Sequence, residues 1–170
     1  MIARAETLRT ARMVLRRIRA DDVEAVHAIM SDARAMRFWS TPPHATREDT
    51  ERFVAAMLAA PADASDEFVL EHAGEAVGKL GAWRLPEIGF FLRPDLWGRG
   101  FAAEALEAFM AYIAARGVTA LTADVDPLNA ACLRLLEPAG FRETGRAAAT
   151  YVLGDRVCDS VYLRLDLPAG

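Results

Sequence analysis

Gly98 and Gly100 stand one residue apart in Trp97-Gly98-Arg99-Gly100-Phe101-Ala102-Ala103, which runs straight into the apolar series Leu106, Phe109, Met110 and Ile113. That series falls at i, i+3, i+4 and i+7, the spacing of one buried helix face. Glycine lets the backbone approach a ligand with no side chain in the way. The helix behind it offers its first N–H groups, unpaired within the helix, and its dipole favours an anion at that end. Residues 98–103 therefore predict a cradle for a diphosphate. Arg99 could add a charge to it, or could simply be solvated.

Bulk composition narrows whose diphosphate this is. A chain of 170 residues with 53% hydrophobic and 26% charged residues has the make-up of one ordinary globular domain. A formal net charge of −4 argues against general nucleic-acid binding. The local cluster Arg16-Arg17 and Arg19 reads as solvated strand and loop residues. Cys132 and Cys158 form neither a disulfide framework nor a Cys-x-x-Cys pair, and His27, His44 and His72 match no metal-ligand spacing, so no metal is expected. No apolar run approaches transmembrane length and no leader segment is evident. The expected address is the cytoplasm, without membrane partners.

The elements that must position the cradle follow from periodicity and punctuation. Arg12 to Ile18 reads as a first strand, and Asp21-Asp22 opens a helix through Val23, Val26, His27 and Met30. Thr46-Arg47-Glu48-Asp49 caps a second helix, carrying Phe53, Val54, Met57 and Leu58, that Pro61 ends. Glu67–Glu71 and Ala76–Trp83 flank a glycine-containing hairpin turn, and Glu87–Leu92 is the strand before the cradle. Beyond the cradle helix come a strand at Ala120–Val125, a short helix from Asn129 to Glu137, and two strands separated by Gly154-Asp155. The order βααβββαβαββ predicts an α/β (α+β) domain, with about seven strands in a mostly antiparallel sheet and four helices.

This order, with the glycine turn after the fourth strand, resembles the GNAT superfamily of N-acetyltransferases over nearly the whole chain. Within it, Arg12-Met13-Val14-Leu15-Arg16, Met36-Arg37-Phe38-Trp39, Glu87-Ile88-Gly89-Phe90 and Trp97-Gly98-Arg99-Gly100 are similar to the ribosomal-protein N-terminal acetyltransferase branch. Gly100 and Ala102 occupy the two small positions of the acetyl-CoA loop, with Trp97 where Gln or Arg is commonest. Asn129 and Gly140-Phe141 match the second signature. Gly98-x-Gly100-x-x-Ala103 also fits a dinucleotide fingerprint, with Asp124 as the ribose-binding acid. Against that reading, Arg93-Pro94-Asp95-Leu96-Trp97 separates strand from glycine, and too few helices remain for parallel β-α units.

The resemblance implies acetyl-CoA as co-substrate and a primary amine, on a protein N-terminus or a small molecule, as acceptor. It implies that the fourth strand splays from its neighbour, so that backbone around Phe91, Leu92 and Arg93 can pair with the pantetheine arm. Trp97, Gly98, Arg99, Gly100, Phe101, Ala102 and Ala103 would hold the diphosphate end. Asn129 would lie against the pantetheine arm, or serve only as a helix N-cap. Glu87 is the candidate base, its alternative being a solvated strand-start residue. Cys132 stands where some members carry serine; it could contact the cofactor and relay a proton, or be a small hydrophobe. Leu136 replaces a tyrosine acid of other members and Thr150 replaces a glutamate, which leaves Tyr151 as a further candidate acid. Trp39 and His44, on the loop between the first two helices, would contact substrate with Tyr151; Phe38 reads as loop packing and Trp83 as core. A homodimer is expected by analogy. A non-catalytic acyl-CoA-binding domain of the same fold is the alternative.

Overall fold

The computed structural model describes residues 2–168. Its strands are β1 (Thr7–Arg9), β2 (Val14–Arg16), β3 (Asp66–His72), β4 (Glu75–Arg84), β5 (Glu87–Leu92), β6 (Ala120–Val125), β7 (Arg142–Leu153) and β8 (Arg156–Asp166). The helices are α1 (Val23–Met30), α2 (Arg47–Ala59), α3 (Phe101–Ala115) and α4 (Ala130–Leu136). The strands form one sheet in the order β1-β2-β3-β4-β5-β6-β8-β7. Eight strands stand where about seven were expected, because Thr7–Arg9 pairs with β2. Three residues with one apolar member show no period, so this short edge strand left no mark in the pattern.

Local signals placed the remaining elements. The Thr46 hydroxyl accepts from the Asp49 N–H while the Asp49 carboxylate accepts from the Thr46 N–H, the reciprocal cap that starts α2. One sheet face packs under α3 and α4 through Leu106, Phe109, Ile113 and Leu136. The other packs under α1 and α2 through Val26, Met30 and Val54, against Val69 and Phe91. No helix among the described residues is long and apolar enough to cross a membrane.

Two arginines overturn the reading of solvated residues. Arg16 is buried and forks onto both Asp22 oxygens at 2.8 and 2.7 Å, with Glu71 at 2.6 Å. Arg17 reaches the fully buried Asp66 at 2.7 Å and stacks over Phe68. Asp66 also accepts from Tyr112 and Arg116, so one carboxylate ties β3 to α3 and to the segment between β2 and α1. Buried guanidinium requires such pairing, and strand alternation alone does not reveal it.

The sheet is antiparallel except between β5 and β6, which meet in register only at Glu87↔Thr122. Beyond that point β5 continues beside β4 while its other edge is free of β6. A parallel fingerprint fold is excluded by this topology, and with it the dinucleotide reading.

Candidate active site

The opening between β5 and β6 is where the sequence motifs converge. The Arg93 N–H donates to the Val77 carbonyl on β4 at 2.8 Å, so by strand alternation Leu92 and Phe90 turn their backbone groups toward the opening. The indole of Trp97 donates to the Leu92 carbonyl at 2.8 Å and closes one of those groups. The Phe90 groups and the Leu92 N–H remain available to an extended ligand. Arg93, expected to pair through its backbone, does not join them: its N–H is given to Val77 and its carbonyl accepts from the Leu96 N–H at 3.0 Å, while its guanidinium is held by Asp95 at 2.7 Å and Glu75 at 2.9 Å.

The cradle follows directly. Gly98 and Gly100 have φ of 68° and 80°, the left-handed region that glycine enters without a Cβ penalty. Gly100 is the N-cap of α3, so Phe101, Ala102 and Ala103 carry first-turn N–H groups without partners in the helix. Gly98, Gly100, Ala102 and Ala103 line a groove of about 540 Å³, with Leu92 and Trp97 on its strand side. Phe101 is buried beneath it. Arg99 is not among the residues that line the groove, and its carbonyl serves the loop instead. That oxygen accepts from Arg12 at 2.8 Å, and the Arg99 guanidinium lies over the Phe101 ring.

The role of Arg12 is tertiary. Its backbone N–H and Nε both bind the Glu104 carboxylate, at 2.8 and 2.7 Å, and its guanidinium sits 4.1 Å from the Phe101 ring centroid. One side chain thus fixes the loop to the first turn of the helix. Nothing in local sequence could show this, because Arg12 and Arg99 are brought together only when the β1–β2 turn folds over α3.

A second cavity of about 720 Å³ lies on the α1–α2 side and is lined by Glu87, Asp124, Tyr151 and His44. Phe38, Trp39, Phe90, Asn129 and Cys132 line both cavities and mark their junction. Trp83, expected in the core, is half exposed and lines this cavity, because its strand runs past the cover of α2. Phe38 packs between the Arg37 and Arg156 guanidiniums, and Arg156 in turn binds the buried Asp126 at 2.6 Å. A bulge between Ala147 and Tyr151, with Ala149 at φ 53°, shapes the β7 side of the same wall.

The candidate side chains differ in what they can do. Glu87 opens β5 at its one contact with β6, with its nearest cation, Arg84, 4.0 Å away. His44 Nδ1 shares the Thr50 hydroxyl with His27 Nδ1, at 2.8 and 2.7 Å. Burial, aided by the charge of His27 and Arg52, keeps the His44 pKa below the ordinary imidazole value despite Asp49. The Asn129 side-chain Oδ1 accepts from the Cys132 N–H at 3.2 Å, so Asn129 is an N-cap and still lines both cavities. Burial pushes the Cys132 thiol up to about 12. The Tyr151 hydroxyl is also raised, by burial first and then by Cys158 and Asp126. Leu136 is core, and Thr150 is engaged by Ser160 at 2.7 Å. Among the described residues no group of three or more His, Cys, Asp or Glu side chains is placed to hold a metal.

A family model described as an acetyltransferase (GNAT) domain matches residues 12–142. The chain belongs to the GNAT acetyltransferase family. It is an acetyl-CoA-dependent N-acetyltransferase, and acetyl-CoA is its co-substrate. Over 150 residues, 82% of this chain and 84% of the relative, it is 24% identical to the uncharacterized N-acetyltransferase p20 of Bacillus licheniformis. Its fold is similar to RimL, a ribosomal alpha-N-protein acetyltransferase solved with coenzyme A in disulfide linkage to a cysteine. That likeness has a TM-score of 0.87 at 19% identity and covers 97% of this chain and 100% of that one. It is also similar to spermidine N-acetyltransferase from Vibrio cholerae, solved with CoA and spermine, with TM-score 0.81 at 18% identity over 94% and 98% of the two chains.

Proposed function

We propose that this GNAT enzyme acetylates an amine of low pKa, such as a protein N-terminal α-amino group or a comparable small amine. Direct attack would occur where the two cavities join. The observation that carries the reading is that junction: the groove beside the glycine turn shares Phe90, Asn129 and Cys132 with a second cavity lined by Glu87, Asp124 and Asp126. An α-amino group has a pKa of roughly 7.7–8.0 against about 10.4 for lysine, so at neutral pH it needs little help to become nucleophilic. The neutral nitrogen forms the C–N bond to the thioester carbonyl as the C–S bond breaks. Its surplus proton passes to Glu87, directly or through water, and the departing thiolate takes a proton from solvent.

Cys132 is assigned to contact rather than to acid catalysis. A thiol held near 12 by burial is a weaker acid than an ordinary solvated thiol and so a poor proton donor to a departing thiolate. Its position at the junction suits packing against the cofactor sulfur, and a cysteine meets the coenzyme sulfur in the RimL structure as well. The fold neighbours include a ribosomal-protein and a polyamine acetyltransferase, so the branch resemblance favours an N-terminal acceptor without excluding a small one. A cytoplasmic homodimer remains part of the same reading.

The test is release of CoA from acetyl-CoA across a panel of amines, with Glu87→Gln beside the parent enzyme. Glu87→Gln should lower turnover and flatten its pH dependence while leaving acetyl-CoA affinity intact. An unchanged pH–rate profile would remove Glu87 from the reaction. Binding of acetyl-CoA without CoA release for any amine would instead mark a non-catalytic acyl-CoA-binding domain.

A further inference from the structure

The acceptor cavity holds an ion pair that acetyl transfer does not use. Lys79 on β4 and Glu67 on β3 pair with each other, their side chains only 3% and 9% exposed, and both line the cavity. An apolar pair of similar volume would serve the sheet as well or better, since removing two charges from water offsets most of their attraction. Gly89 lines the cavity beside them without a side chain, and the Trp39 ring edge lies over it, while its cross-strand partner Gly81 is packed against the β3 backbone.

The pair has a direction. An ammonium carries three donors. Among the described residues Glu67 is the anionic partner of Lys79, and the Trp39 ring covers another side with its centroid 5.4 Å away. On Glu67, one oxygen meets Lys79 and the other receives the Ser65 hydroxyl at 3.5 Å. With one N–H given to Glu67, the Lys79 ammonium keeps N–H groups that no acceptor takes among the described residues. Burial lowers the Lys79 pKa while Glu67 opposes the shift. The Lys79 ammonium leans to Glu67, whose register partner Gly81 faces Gly89, two residues along β5 from Glu87, roughly 7 Å at strand rise and within the span of a dipeptide.

We propose that Lys79 and Glu67 form an oxygen-binding subsite, in which the Lys79 ammonium donates to a neutral carbonyl oxygen of the acceptor set back from its reacting amine. The pair is neutral overall, which decides the ligand chemistry. A second carboxylate would bring an uncompensated charge beside Glu67, and a second ammonium would meet Lys79. A carbonyl takes the spare N–H without adding charge. The subsite rests on the acetyl-transfer reading of this cavity and selects amide-bearing acceptors over linear polyamines within it.

The experiment compares a dipeptide amide, the same dipeptide as free acid, and a linear diamine and alkylamine of matched length. The parent enzyme is set beside the double variant Glu67→Gln with Lys79→Met, which removes both charges and strands neither. The parent should prefer the dipeptide amide. The double variant should lose at least tenfold in kcat/KM for it, mainly through KM, as expected for a lost charge-assisted bond. The alkylamine and the acetyl-CoA affinity should be unmoved. Equal losses for every acceptor, no loss, or a preference for the diamine or free acid would overturn the proposal. If none of the acceptors releases CoA, the proposed reaction has failed, and the subsite is judged by binding alone. The N-acetylated dipeptide amide should then raise the melting temperature of the parent protein and not of the double variant; equal effects, or none, refute the subsite.

Discussion

Gly100→Ala tests whether the cradle depends on backbone conformation. Gly100 sits at φ 80° as the N-cap of α3, and a Cβ there would lie 3.4 Å from the Arg12 guanidinium, a contact that a small adjustment relieves. The penalty is therefore conformational, about 1–2 kcal/mol for a non-glycine residue in the left-handed region. If the loop keeps its shape, that strain appears as a fall in Tm of roughly 2–8 °C for a chain of this size. If the free loop relaxes instead, Tm is spared and the strain returns on binding, as a loss of roughly 5–30-fold in acetyl-CoA affinity. The two effects trade against each other, so their sum should stay near 1–2 kcal/mol. Thermal melts and titration calorimetry with acetyl-CoA measure both. Gly154→Ala is the control: φ is 60° in the β7–β8 turn, nothing lies within 4 Å, and the groove is not lined by it. It should lose stability alone. Unchanged stability together with unchanged affinity in Gly100→Ala, or weakened binding in Gly154→Ala, would refute the reasoning.

Three further outcomes follow from the packing. Arg12→Met removes an ion pair that is largely solvent-screened, so Tm should fall by less than about 4 °C, whereas acetyl-CoA affinity should drop by about fivefold as the loop loses its tie to α3. Arg12→Lys should not restore it, since one ammonium cannot span Glu104 and the Arg99 carbonyl as the guanidinium fork does. Asp66→Asn should cost about 2–3 kcal/mol in a denaturant melt, below the ~3–5 of a fully buried pair because Arg17 and Arg116 keep 16% and 20% exposure; a neutral result would mean the guanidiniums find water instead. With its pKa raised to about 12, Cys132 should be about one part in ten thousand thiolate at pH 8, so iodoacetamide should label it far more slowly than a free thiol of pKa about 8.5. Labelling should quicken as pH rises and slow again with CoA bound. Rapid labelling at pH 8, followed by peptide mass spectrometry, would show the thiol to be solvated.

What could be read from the sequence was local. The spacing of Gly98 and Gly100 before an amphipathic helix, the Thr46–Asp49 cap, the Ala73-Gly74 hairpin turn and Asn129 before α4 each depend on residues a few positions apart. Backbone conformation and helix caps are set at that range, so the glycine turn and most of the element order were legible. Burial along β4 was not. Seven consecutive residues of that strand are buried, because helices cover both faces of the sheet there, and alternation disappears. The same cover hid Lys79 and Glu67, and its end left Trp83 exposed.

Charges were the other blind spot. Arg16 and Arg17 lie in a strand pattern that suits solvent, yet they are drawn to Asp22 and Asp66, six and forty-nine residues away. The Arg93 side chain is claimed by Asp95, and Arg99, read as either a ligand charge or a solvated residue, lies over the Phe101 ring, while Arg12 reaches the glycine turn from 87 residues away. The sequence by itself determined that a glycine turn leads into a helix start at Gly98–Phe101, since both are local conformations. Which charged side chains lie beside that turn, and what the neighbouring cavity presents, was decided only by the tertiary structure. An ion pair forms between whichever charges the sheet order and the splayed β5–β6 junction bring within reach, and chain separation carries no record of that.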